Sequence, residues 1–237
     1  MSEPPQPSDA IDDSNSLLSR RPYTRYLAGR FLGTLANGSQ AVVIAWEVYE
    51  TARLTMSLER AAFLIGMIGL VQFLPVFALT LVAGETADRH DRRVVLVLCY
   101  LAQFVISMGL AIRSSFSGEL WTIFALAACY GSARAFFQPT ASALGPMLVP
   151  LRLLPRAIAT NSLAAQCGSI IGPALGGLLC VVSPILGYAV SASLYAIAAC
   201  CTILIRAETR PSIEHGRSRS AQIREGLAYL RDNRLVL

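Results

Sequence analysis

Ten residues, Gly84-Glu85-Thr86-Ala87-Asp88-Arg89-His90-Asp91-Arg92-Arg93, separate two apolar runs, AAFLIGMIGLVQFLPVFALTLVA (61–83) and VVLVLCYLAQFVISMGLAI (94–112). The runs hold 23 and 19 residues and no charge, while six of the ten residues between them are charged. At about 1.5 Å per residue, helices of these lengths span a hydrocarbon core of roughly 30 Å. No water is present there to satisfy peptide groups, so a lone crossing segment has to be helical. The stretch is a membrane hairpin.

The same pattern recurs at 26–49, 120–137, 157–182 and 185–205, runs of 24, 18, 26 and 21 residues. The expectation is an all-α integral membrane protein with six transmembrane helices and both termini on one side. Composition agrees: 54% of the 237 residues are apolar and 15% charged, with a mean hydropathy of +0.52. A soluble domain carries about a quarter charged residues. The lipid bilayer is therefore the first partner, and nothing in the chain points to nucleic acid.

Sidedness follows from arginine. With the N-terminus inside, fifteen of the twenty arginines fall in inner segments, while Arg53, Arg60 and Arg113 fall outside. That asymmetry predicts a multi-pass protein of the cell (inner or plasma) membrane with both termini cytoplasmic. Trp46, Tyr49 and Trp121 then lie at the outer interface, where aromatic belts form. Residues 1–24 read as a flexible cytoplasmic tail and 25–205 as the bundle. Residues 206–237 read as an arginine-rich cytoplasmic segment. Within it Ile223, Leu227 and Leu230 recur at helical spacing, as in an amphipathic helix on the inner leaflet, although a solvated basic tail reads equally well. The final Leu235-Val236-Leu237 looks like the approach to a seventh span.

Every basic residue is arginine; there is no lysine. This excludes from the chain a P-loop ATPase site and Schiff-base chemistry, which depend on lysine. Six cysteines lie inside apolar runs without metal-ligand spacing, so they read as inert buried thiols, and no metal or cofactor is expected. The H-E-x-x-H and G-x-S-x-G motifs are absent and no histidine lies in a span, so an intramembrane enzyme is not expected.

Several residues nevertheless carry chemistry. In the 84–93 loop, Gly84 would allow close helix approach. Asp88 is placed to pair with Arg89 or Arg92 and to face the positive end of a neighbouring helix, at about 1 kcal/mol per contact. By composition alone the loop is an ordinary positive-inside turn. In the fifth run, Gly168, Gly172 and Gly176 share one face at four-residue spacing, with Pro173 as a bend and Gly177 beside it. Arg134 lies inside the fourth run, either as a functional intramembrane charge or as a side chain snorkelling to the inner interface. Arg30 reads as snorkelling. Asn37, Gln40 and Gln72 read either as cavity-lining groups or as helix-to-helix hydrogen-bonding residues. Glu47 and Glu50, near the outer face, are the acids available to a span.

The loop resembles the G-x-L-A-D-R-x-G-R-R signature of the major facilitator superfamily, at the same position between second and third spans. It departs at Thr86 and Asp91. Its Asp-Arg-x-Asp-Arg-Arg form is similar to the branch of enterobactin exporters and macrolide-efflux-like proteins. The segment Gly168 to Gly177 resembles the G-x-x-x-G-P-x-x-G-G stretch of exporter branches, and residues 149–162 resemble the stretch after the fourth helix. The resemblance covers the first half of the family's pattern. It implies one six-helix half of a major-facilitator fold and, from it, a secondary active exporter of small amphiphilic, siderophore- or drug-like molecules working by alternating access. It implies an inner gate at Gly84, Asp88, Arg89, Arg92 and Arg93, and a flexing seam at Gly168, Gly172, Pro173, Gly176 and Gly177. Arg134 would then serve substrate or coupling; Asn37, Gln40, Gln72 and Glu47 are further candidates on their own chemistry, and an antiported proton would use Glu47, Arg134 indirectly, or a group outside this sequence. The partner it implies is a second six-helix half, in the same longer chain or another copy. The competing reading is a non-transporting fragment or a membrane interaction module.

Overall fold

The computed structural model describes residues 20–116 and 119–206. Most of the tail assigned to 1–24, and all but Arg206 of the segment assigned to 206–237, lie outside them. Among the described residues the chain forms six long helices. These are α1 (Arg21–Arg53), α2 (Leu58–Arg89), α3 (Arg92–Ser115), α4 (Leu120–Met147), α5 (Leu154–Val182) and α6 (Pro184–Ile203), with a 3-10 turn at Leu151–Leu153 before α5. Local chemistry sets several starts. Pro22, Pro155 and Pro184 occupy first turns, where a missing N–H leaves nothing unsatisfied. Asp91 caps α3 by accepting from the Arg93 amide at 2.9 Å, and Ser183 caps α6 by accepting from the Ile185 amide at 3.2 Å.

All the helices but α6 outrun the apolar runs that announced them. The largest difference is α4, expected over 120–137 and observed to Met147 through Pro139 and Pro146. Each proline removes one backbone donor without stopping the helix, because packed neighbours hold it. Arg134 consequently stands near mid-helix rather than a few residues from an end.

Five of the six helices, α2 to α6, are long and apolar enough to cross a membrane. The exception is α1, although 26–49 counts as an apolar run. It carries Arg30, Ser39, Gln40 and Glu47, and all four are buried inside the bundle. A helix shielded by its neighbours need not be apolar to lie within a membrane protein. At 33 residues it is about 50 Å long.

Packing has an internal two-fold order. The principal neighbours of α1 are α5 and α6, those of α4 are α2 and α3, and α3 packs on α6. Exchanging each helix with the one three places later leaves that arrangement unchanged. The first three helices and the last three run in opposite senses, which makes them inverted repeats. Contacts at the two ends fix those directions. At one end Arg25 donates to the Leu204 carbonyl, Arg93 to the Ile203 carbonyl, and Tyr23 to the Ala157 carbonyl at 2.8 Å. At the other, Glu47 of α1 meets Arg113 of α3 and Tyr188 of α6.

The core lies between α1, α3, α4 and α6. Six tyrosines, at 23, 26, 100, 130, 188 and 195, are fully buried in it. Their hydroxyls act as inter-helix staples: Tyr26 donates to the Ala141 carbonyl at 2.7 Å and Tyr100 to the Gly29 carbonyl at 2.8 Å. Buried tyrosine requires such partners. By contrast α2 buries only Ala61, Ile68, Ala83 and Ala87, and α5 only Ala157, three glycines and Cys180. Not all cysteines are internal either: Cys99 and Cys180 are buried, whereas Cys129, Cys167 and Cys200 are exposed on helix faces.

Candidate functional site

A cavity of about 920 Å³ opens between α1, α2 and α4. It extends from the middle of these helices toward the arginine-rich end. α1 contributes Thr34 and Asn37, one turn apart. α2 contributes Gln72, Val76, Thr80 and Gly84, a row at four-residue spacing, with Phe73 beside it. α4 contributes Arg134, Gln138 and Ser142, again at four-residue spacing. Residues of three helices thus converge, each set spaced as helical periodicity requires of residues sharing a face.

The cavity's shape depends on a close crossing. A Cβ on Gly131 would stand 2.3 Å from the Gln72 carbonyl oxygen, so α4 and α2 touch backbone to backbone at cavity level. Asn37 is fixed from behind. Its side chain donates to the Gly33 carbonyl at 2.8 Å and accepts from the Tyr130 hydroxyl at 2.7 Å and the Gln103 amide at 3.3 Å. Arg134 is exposed to the cavity and belongs to none of the ion pairs formed among the described residues.

The other polar candidates are used elsewhere. Gln40 is fully buried and accepts from the Ser107 hydroxyl, so it faces α3 rather than the cavity. Glu47 sits at the far end, 5% exposed, with one oxygen 2.8 Å from Arg113 and the other accepting from Tyr188 at 2.6 Å. It is a clasp joining α1, α3 and α6, and its carboxylate is fully engaged there. Arg30 does not snorkel. It is 4% exposed, donates to the Gln138 side chain at 3.2 Å and lies over the Phe137 ring at 5.2 Å.

At the arginine-rich end the loop residues divide their contacts. Asp88 meets Arg92 at 3.6 Å and is largely exposed, while Arg89 pairs with Glu85 at 2.9 Å along its own helix. Arg92 is the tie: it donates to the Ala87 carbonyl at 3.0 Å and the Ala143 carbonyl at 3.3 Å, joining α2, α3 and α4. Arg93 joins α3 to α6. Gly84 makes no close helix contact: a methyl group in place of its hydrogen would meet nothing within 4 Å among the described residues, and the residue lines the cavity instead.

The glycine face of α5 packs on α1. Methyl groups on Gly168, Gly172 and Gly176 would meet Thr34, the Leu35 carbonyl and the Ser39 carbonyl at 2.9, 2.6 and 2.5 Å, and Pro173 lies against Gly38. Gly177 has open space and is outside this seam.

Thr34, Phe73, Thr80, Gln138 and Ser142 join the site only through the fold; none stood out in the sequence. The signal for three of them was present. Gln138 and Ser142 continue the face of Arg134, and Thr80 that of Gln72, at four-residue intervals.

The matches to known proteins run along the same chain. The family model for the Major Facilitator Superfamily matches residues 26–237. An uncharacterized MFS-type transporter, YfiS of Bacillus subtilis (strain 168), is 29% identical over 106 residues, 45% of this chain and 24% of that protein. Multidrug resistance protein 1 of the same organism is 26% identical over 138 residues, 56% of this chain and 33% of that protein. The matched stretches thus span a quarter to a third of the length of these relatives.

Proposed function

The chain belongs to the major facilitator superfamily, a family of transporters and not of enzymes, and on that footing we propose that it is the N-terminal six-helix half of an exporter. It moves small amphiphilic molecules, siderophore- or drug-like, by alternating access, in the manner of the enterobactin-exporter and macrolide-efflux-like branch. The observation that carries this reading is the 920 Å³ cavity, with Asn37, Gln72 and Arg134 set among Phe73, Val76 and Phe137. Apolar walls with a few fixed polar groups suit an amphiphile. The name of one relative, a multidrug resistance protein, supports the direction of transport.

In this reading all six helices cross the membrane, α1 included, because its polar side chains Arg30, Ser39, Gln40 and Glu47 are buried inside the bundle, away from lipid. The arginine-rich end is cytoplasmic. Asp88, largely exposed beyond Arg92, offers its carboxylate to a helix N-terminus of a second six-helix half, which completes the inner gate. The sparsely buried faces of α2 and α5 are the surfaces that half and the lipid share. The α1–α5 glycine seam is where the bundle flexes.

The test is efflux in inverted membrane vesicles carrying the complete transporter. A fluorescent amphiphile should accumulate against its gradient when the membrane is energised, and not when the gradient is collapsed. Absence of gradient-dependent movement would overturn the exporter reading. The competing reading, a non-transporting fragment or membrane interaction module, is separated by the coding sequence beyond codon 237. A frame continuing through six further spans rejects it.

A further inference from the structure

Resting on the reading that this cavity holds the transported molecule, we infer that its floor recognises an anionic group, a carboxylate above all, through Arg30 behind Gln138 together with Arg134. Arg30 is 4% exposed, yet its Nε and Nη1 have no hydrogen-bond partner among the described residues. Its Nη2 rests on one neutral acceptor, Gln138 Oε1, at 3.2 Å. A guanidinium does not shed its proton, so the charge persists where it is. A buried charge without a counter-ion is costly.

That charge lies one side chain behind the cavity wall. Two residues against its guanidinium, Phe137 beneath it and Gln138 at its tip, line the cavity. Arg134, one turn before Gln138 on the same face, points a second guanidinium into the same space. Among the described residues no aspartate or glutamate lines the cavity, and neither arginine takes part in an ion pair. Two positive groups therefore act on one chamber without a counter-charge from its walls.

An entering carboxylate satisfies both. One oxygen takes the place of Gln138 Oε1 on the Arg30 Nη2, where it can also share one neighbouring N–H, while the other pairs with Arg134. A bond between two charged partners is stronger than the hydrogen bond to a neutral amide that it replaces. The molecule's apolar body lies against Phe73 and Val76. A cation of the same shape is repelled, and a neutral analogue leaves Arg30 as it was.

The experiment compares naphthylacetate with naphthylacetamide, which differ in charge and hardly in shape. Each is titrated against the full chain in phosphatidylcholine nanodiscs at neutral pH, with empty nanodiscs subtracted. The acid should bind at least tenfold more tightly than the amide. Arg30→Gln should weaken the acid at least tenfold and the amide less than twofold. Arg134→Gln, at an exposed position on the cavity wall, should weaken the acid at least fivefold even if the Arg30 variant does not fold. Equal affinity of acid and amide for the native chain, or an acid preference untouched by Arg134→Gln, would overturn the anion site and leave the cavity reading standing. Binding of neither probe would overturn both.

Discussion

Glu47 shows how a residue's surroundings decide its role. Its carboxylate and Arg113 have side chains only 6% and 9% exposed; Tyr188 donates to the second Glu47 oxygen, and Arg113 Nε to the Thr122 hydroxyl at 3.3 Å. Removing one member leaves the other charged and buried, which costs about 3–5 kcal/mol. Glu47→Ala should therefore lower the denaturation midpoint of the purified protein strongly, whereas replacing Glu47 and Arg113 together by Leu should cost much less. Equal losses in the two variants would mean that the pair carries no coupling. Asp88 is the opposite case, a surface carboxylate 3.6 Å from Arg92 with 77% of its side chain exposed. Asp88→Asn should leave membrane insertion and thermal stability unchanged while slowing efflux by the complete transporter; unimpaired efflux would remove it from the gate.

Among the elements, α5 separates two kinds of glycine that look alike in the chain. Gly172 approaches the Leu35 carbonyl so closely that any side chain must push α1 away, whereas Gly177 has nothing within 4 Å. Gly172→Leu should destabilise by about 1–3 kcal/mol, the usual range for overpacking, read as a fall in thermal midpoint. Gly177→Ala should lose nothing and gain up to about 1 kcal/mol from helix propensity. The four-residue spacing at 168, 172 and 176 was visible in the sequence because one helix face is a local property. Which glycine of the Gly176-Gly177 pair faces α1 was not, because that depends on how α5 is rotated against a helix more than 130 residues earlier. Much the same holds for α4. Its apolar run stops at Phe137, but the helix continues because its polar residues, Gln138 and Ser142, turn toward a cavity rather than toward lipid.

For the bundle taken together, contacts among Arg25, Arg93 and the carbonyls of Leu204 and Ile203 gather the arginine-rich ends of α1, α3 and α6. The proposed orientation puts that end in the cytoplasm. His90→Cys, in a chain whose six native cysteines are replaced by alanine, should react with an impermeant maleimide in inverted vesicles and not in intact cells. Labelling from outside intact cells would reverse the orientation.

The order of amino acids is enough to establish the all-helical membrane class, because a run of some twenty uncharged apolar residues is summed along the chain and needs no knowledge of neighbours. It also marks 84–93 as a charged turn between two such runs. It takes the packed bundle to settle which polar side chains meet the cavity and which are spoken for. Asn37 and Gln40 lie three residues apart on α1, yet one lines the chamber and the other is sealed against Ser107. Arg30, expected to reach for the membrane surface, is buried over Phe137 instead. Those placements depend on α3 and α4 arriving from far along the chain, and no local pattern encodes where they arrive.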